Sequence, residues 1–160
     1  MVFEFFKRLF AGSESRPHTS SRHDQTRTIL LVSALRSERD TVRAFSLRYG
    51  WHLLVASTLR AAVELQRQEK VTVILYDRDL PEVEWSAGAA ALLQTTSACF
   101  VLLSSATDEK LRLELLAWGG YDVVRKPVAF DGLAPLLQGY WALRQEINSA
   151  ELCFLHPFRK

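Results

Sequence analysis

Five short apolar runs constrain this chain more than any other feature. TILLV (28–32), WHLLVA (51–56), VTVILY (71–76), CFVLL (99–103) and YDVV (121–124) recur roughly every 20 residues. Most are continuously apolar rather than alternating, the pattern of parallel strands whose two faces are both covered. The intervals read as helices. Val42, Phe45 and Tyr49 share a face ahead of Gly50, which suits a left-handed helix end. Ser57 is placed to cap the next helix, with Leu59, Ala62 and Val63 on its inner side. Leu111, Leu115 and Trp118 follow Asp108 at helical spacing and are stopped by Gly119 and Gly120. Leu133, Leu136, Leu137, Tyr140, Leu143 and Ile147 form the cleanest amphipathic series.

Strands alternating with helices imply an α/β domain with a doubly wound five-stranded parallel sheet and helices on both faces. Right-handed crossovers favour a flavodoxin-like strand order of 2-1-3-4-5. Ligands of such sheets bind beyond the carboxyl ends of the strands, so the residues there matter most. They are Ser33 and Ala34 after the first run, Asp77 after the third, Ser104 and Ser105 after the fourth, and Lys126 with Pro127 after the fifth. A strand-end carboxylate facing a hydroxyl and a lysine is open to two readings. Asp77 is either an acceptor of a phosphoryl group or half of a structural ion pair with Lys126.

The motifs YDRDLP, LLSS and VVRKP, in this order and spacing, resemble the phosphoacceptor, hydroxyl and lysine motifs of the receiver domains of two-component response regulators. The resemblance covers roughly residues 28–147. It implies that Asp77 stands at the phosphoacceptor position, that Ser104 and Lys126 stand at the phosphate-contacting positions, and that Pro127 follows a cis bond. Such receivers also carry two adjacent acidic residues after the first strand, which hold magnesium together with the phosphoacceptor. Ser33 and Ala34 occupy that place here. Magnesium demands octahedral oxygen ligation, so Asp77 without that pair is expected to hold it weakly. Glu38 and Asp40 are expected to lie too far along the first helix to substitute, and Asp79 to offer mainly its backbone carbonyl. Val123 replaces an aromatic residue that often serves as the family's switch.

The 160-residue chain has a formal charge of +2. Lys7, Arg8, Arg16, Arg22 and Arg27, against Glu4, Glu14 and Asp24, account for the whole excess, leaving the main domain neutral. A nucleic-acid surface is therefore not expected. Two cysteines make no disulfide framework, which fits a reducing, cytoplasmic setting. Residues 1–10 (MVFEFFKRLF) form an amphipathic segment in which Phe3, Phe6 and Phe10 share an apolar arc suited to a partner's groove or a membrane surface. Residues 11–27 read as a flexible linker, 28–147 as the receiver-like domain, and 148–160 as a C-terminal tail.

The expected function is a stand-alone signalling module of a phosphorelay that acts by protein–protein interaction without phosphorylation. The alternative is a responder accepting phosphate on Asp77 from a histidine kinase or phosphotransfer protein. A small α/β enzyme is disfavoured, because the chain has no glycine-rich phosphate loop and no nucleophile elbow.

Overall fold

The computed structural model describes residues 27–154, with side chains through 147. Phe3, Phe6 and Phe10, with most of the expected linker, lie outside the described residues. Five parallel strands alternate with five helices: β1 (Thr28–Val32), α1 (Arg36–Tyr49), β2 (His52–Ala56), α2 (Leu59–Gln68), β3 (Val73–Asp77), α3 (Trp85–Leu93), β4 (Cys99–Ser104), α4 (Glu109–Ala117), β5 (Asp122–Arg125) and α5 (Phe130–Phe154). The sheet order is β2-β1-β3-β4-β5. This is the flavodoxin-like arrangement that the spacing of the runs predicts.

Every residue of β1, β3 and β4 is buried, and their continuous apolar runs divide by parity between two cores. Ile29, Leu31, Val73, Leu75, Val101 and Leu103 face Val42 and Phe45 of α1 and Leu133, Leu137 and Trp141 of α5. The intervening Leu30, Val32, Ile74, Tyr76, Phe100 and Leu102 face α2, α3 and α4 through residues such as Ala62, Ala89, Leu92, Leu111 and Leu115. Both faces are thus closed by helices, as an all-parallel sheet requires. Gly50 ends α1 with φ of 65° and Gly119 follows α4 with φ of 86°, left-handed values that glycine adopts at little cost.

Local details depart from the sequence reading. Thr58, not Ser57, caps α2, accepting the Ala61 N–H at 3.1 Å. Trp85 is the buried first residue of α3. Trp118 is the C-cap of α4 and is 46% exposed, because the helix ends before the stripe of Leu111 and Leu115 returns to the sheet. Leu143 and Ile147 are exposed: the buried line of α5 runs through Leu133, Ala134, Leu137 and Trp141 instead. That helix continues past Ile147 to Phe154, into the expected tail, since no glycine or proline interrupts residues 140–156.

Tyr76, wholly buried, meets α3 at Gly88, where a Cβ would overlap the end of its ring. Its hydroxyl has no hydrogen-bond partner among the described residues. Burial, followed by the charges of Glu82 and Asp77, pushes its pKa up to about 12 from the usual 10.0. Gly88→Ala should therefore lower stability by about 1–3 kcal/mol through overpacking, despite alanine's higher helix propensity. Tyr76→Phe should raise it by up to about 1 kcal/mol, as an unsatisfied hydroxyl is removed. Only the neutral phenol is favoured in the folded state, so wild-type stability should begin to fall as pH rises above 10.0. This alkaline decline should be shallower in Tyr76→Phe; urea denaturation of the variants across pH measures all three effects.

Candidate functional site

The pairing register aligns the strand ends. Val32 pairs with both Ala56 and Tyr76, Asp77 with Leu103, and Ser104 with Arg125. The ladder continues one step beyond β1, as the Ser33 N–H donates to the Ala56 carbonyl at 2.9 Å. Ser33 is fully buried in consequence, while Ala34 is exposed. Leu35 then serves as the N-cap of α1 with no side-chain capping bond. Its amide is met instead by the Ser33 hydroxyl, which accepts that N–H at 3.1 Å.

So short a connection places the third residue of α1, Glu38, against the end of β1. The Ser33 hydroxyl donates to Glu38 Oε2 at 2.6 Å, with Asp77 Oδ2 a longer 3.3 Å away. The Glu38 side chain is 5% exposed and the Asp77 side chain 3%. An acidic residue in the first turn of a helix also gains from the helix dipole.

Lys126 completes the cluster. Its backbone N–H donates to the Ser104 carbonyl at 2.9 Å, extending the β4–β5 ladder, and the Lys126–Pro127 bond is cis. The side chain returns over the strand ends so that Nζ lies 2.6 Å from Asp77 Oδ1, 3.0 Å from Asp79 Oδ2 and 3.4 Å from Glu38 Oε1. The Asp79 N–H also donates to Asp77 Oδ1 at 3.0 Å, fixing the start of the loop after β3. Burial alone would lower the lysine pKa. Hydrogen bonds to Asp77 and Asp79, with the charges of Glu38 and Asp77, more than reverse this and hold it above the usual 10.5.

Asp77 and Lys126 therefore meet directly. Ser104, also buried, lies at the end of the intervening strand, where its hydroxyl accepts the Ala106 N–H at 3.2 Å and Arg78 Nη1 approaches to 3.5 Å. Val123, half-buried, packs against the core shared with α2, α3 and α4. Two residues overturn the sequence reading. Glu38 does reach the crevice, and Asp79 contributes its carboxylate to Lys126. Asp40 stays outside, near Arg36 and Arg43 at 3.6 and 3.8 Å. A signal for Glu38 existed in the three residues between the end of β1 and the start of α1, too few to carry the first helical turn away from the strand.

The side chains do not suit magnesium as the acidic pair that the sequence resemblance implies would. Ser33 offers a hydroxyl already engaged with Glu38, Ala34 offers no ligand, and an ammonium stands among the carboxylates. Among the described residues, no group of three His, Cys, Asp or Glu is arranged to hold a metal ion.

Lys126→Met would leave Asp77 and Glu38 buried without their counter-ion, at an expected cost of about 3–5 kcal/mol. The exposed Asp40→Asn should change stability by less than about 0.5 kcal/mol. Since the lysine pKa is raised, the contribution of the ammonium is complete below 10.5 and is lost only as pH climbs through the higher folded value. The deficit of Lys126→Met in urea denaturation should thus persist from neutral pH to about pH 10.

No protein-family model matches the chain. Over 103 residues it is 23% identical to the transcriptional regulatory protein YxdJ of Bacillus subtilis, an alignment covering 64% of this chain and 45% of that protein. The chain thus spans about half the length of this curated relative. The chemotaxis protein CheY4 of Vibrio cholerae superposes with a TM-score of 0.64 at 22% identity, covering 69% of this chain and 95% of that one. The receiver domain of Ssk1 from Saccharomyces cerevisiae, solved with the histidine phosphotransfer protein Ypd1, gives a TM-score of 0.60 at 16% identity, covering 65% and 81%. In sheet order, helix placement and likeness to these structures, the chain has the fold of the receiver domains of two-component response regulators.

Proposed function

We propose that this protein is a receiver-like signalling module of a two-component or phosphorelay system, and that it acts by binding other signalling proteins without phosphorylation of Asp77. The observation that carries this reading is the Lys126 ammonium held among Asp77, Asp79 and Glu38, with Ser33 and Ala34 in the place of the acidic pair. Phosphoryl transfer is catalysed mainly by positioning and by neutralising charge on the transferred group. Here the acceptor oxygen nearest the lysine is already hydrogen-bonded twice, by Lys126 and by the Asp79 N–H. An incoming phosphoryl group would have to displace the first bond while adding charge beside Glu38.

The recognition surface in this reading is the rim of the crevice with its helices, and the partner class is that of kinases and phosphotransfer proteins. The Ssk1 receiver was solved with a partner of that kind. Action by recognition rather than catalysis, in the cytoplasm, follows from the same reading. No helix among the described residues is long and apolar enough to cross a membrane. Phe3, Phe6 and Phe10 would supply an additional contact, to a protein groove or a membrane surface.

Amide NMR of the wild type and Asp77→Asn, with magnesium and a small phosphoryl donor, tests the proposal. The expected result is the absence of any Asp77-dependent shift. Shifts that need both Asp77 and the donor would establish phosphorylation and sink the reading. If Met1 to Phe10 form a docking segment, their deletion should weaken partner or liposome binding at least tenfold, as measured by co-sedimentation; unchanged binding removes that role.

A further inference from the structure

Glu38 is the unexpected member of the crevice. Its carboxylate arrives from a helix, not from the end of β1, and its side chain is 5% exposed. One oxygen accepts the Ser33 hydroxyl, while the other, Oε1, has no hydrogen-bond partner among the described residues and lies 3.4 Å from Lys126 Nζ. A buried carboxylate in that state needs a cation nearby. Three carboxylates, from α1, from the end of β3 and from the loop after it, converge on one point, and the lysine ammonium occupies that point.

We propose that Lys126 is the built-in cation of this site, with Glu38 as the positioning residue that replaces the missing acidic pair, so that the crevice is closed to divalent ions while the ammonium stands among the carboxylates. This deepens the reading of a phosphorylation-independent module: it states what holds the site in a single state. Ser33 has a definite part, because its short bond to Glu38 Oε2 turns the other oxygen toward the ammonium. Asp79, whose side chain is 56% exposed, is the one solvent-facing carboxylate of the three. As the side chains stand, with the ammonium among them, the carboxylates are not arranged to hold a metal ion, yet the site keeps the excess negative charge that a hard divalent cation prefers. Its own side chain takes that cation's place.

The test compares thermal unfolding with and without millimolar magnesium or manganese in wild type, Lys126→Met and Lys126→Met/Glu38→Gln. A ligand that binds only the folded state raises its melting temperature. The wild type should be insensitive. Lys126→Met should melt lower but recover several degrees when either metal is added, and Glu38→Gln in the double variant should abolish that recovery. A metal-dependent rise in the wild type would overturn the proposal, as would a Lys126→Met protein that ignores both metals. If Lys126→Met fails to fold, side-chain nitrogen NMR of the wild type decides. Lys126 ammonium protons protected from exchange, unchanged by magnesium and unbroadened by manganese, support the proposal, whereas rapid exchange or manganese broadening overturns it. The outcomes separate from those of the phosphorylation test. Metal binding by a wild type that is never phosphorylated defeats only this inference, and metal-free phosphorylation of Asp77 defeats only the functional reading.

Discussion

The contact between Lys126 and Asp77 is the constraint on which the upper end of the sheet depends. Both side chains are withdrawn from water, and neither is tolerable there without the other, since an isolated buried charge costs several kcal/mol. The lysine begins beyond β5, at the edge of the sheet, and the aspartate ends β3, near its centre. Their meeting requires the β4–β5 ladder to continue to Lys126, which it does through the Ser104 carbonyl. It also requires the loop after β3 to turn at once, which the Asp79 N–H bond to Asp77 secures. Glu38 and Ser33 then bring β1 and α1 into the same arrangement.

Below this polar end the sheet is held by a different force. Neighbouring residues along β1, β3 and β4 point to opposite cores, and each core is completed by helices on one face only. Burial of that apolar surface drives folding without choosing a function. The same architecture serves many activities, and the charged cluster at its carboxyl end is where this chain becomes particular.

The apolar runs made the sheet legible, because a continuous five-residue apolar segment can be buried on both sides only between two layers. The meeting of Asp77 and Lys126 was legible too, since strand order puts the ends of β3, β4 and β5 side by side, whereas the Ser104 hydroxyl bonds to Ala106 and Arg78 instead. Glu38 and Asp79 were not. Their contribution depends on where a side chain turns after a short connection, which spacing along the chain does not encode. Trp118, Leu143 and Ile147 misled for a related reason: apolar residues at helical spacing suggest burial even where a helix has already ended or has passed beyond the edge of the sheet.

The position of Ser104 sets the path the lysine has to take. With β4 lying between β3 and β5, a side chain that starts beyond β5 and reaches Asp77 has to span the end of β4, where this hydroxyl lies with no exposed surface. The hydroxyl beneath that path is taken up by other groups, the Ala106 N–H after β4 and the Arg78 guanidinium after β3. Any molecule reaching for the serine has to displace those contacts, so the hydroxyl is tied to the two loops that flank it and not to the ion pair alone.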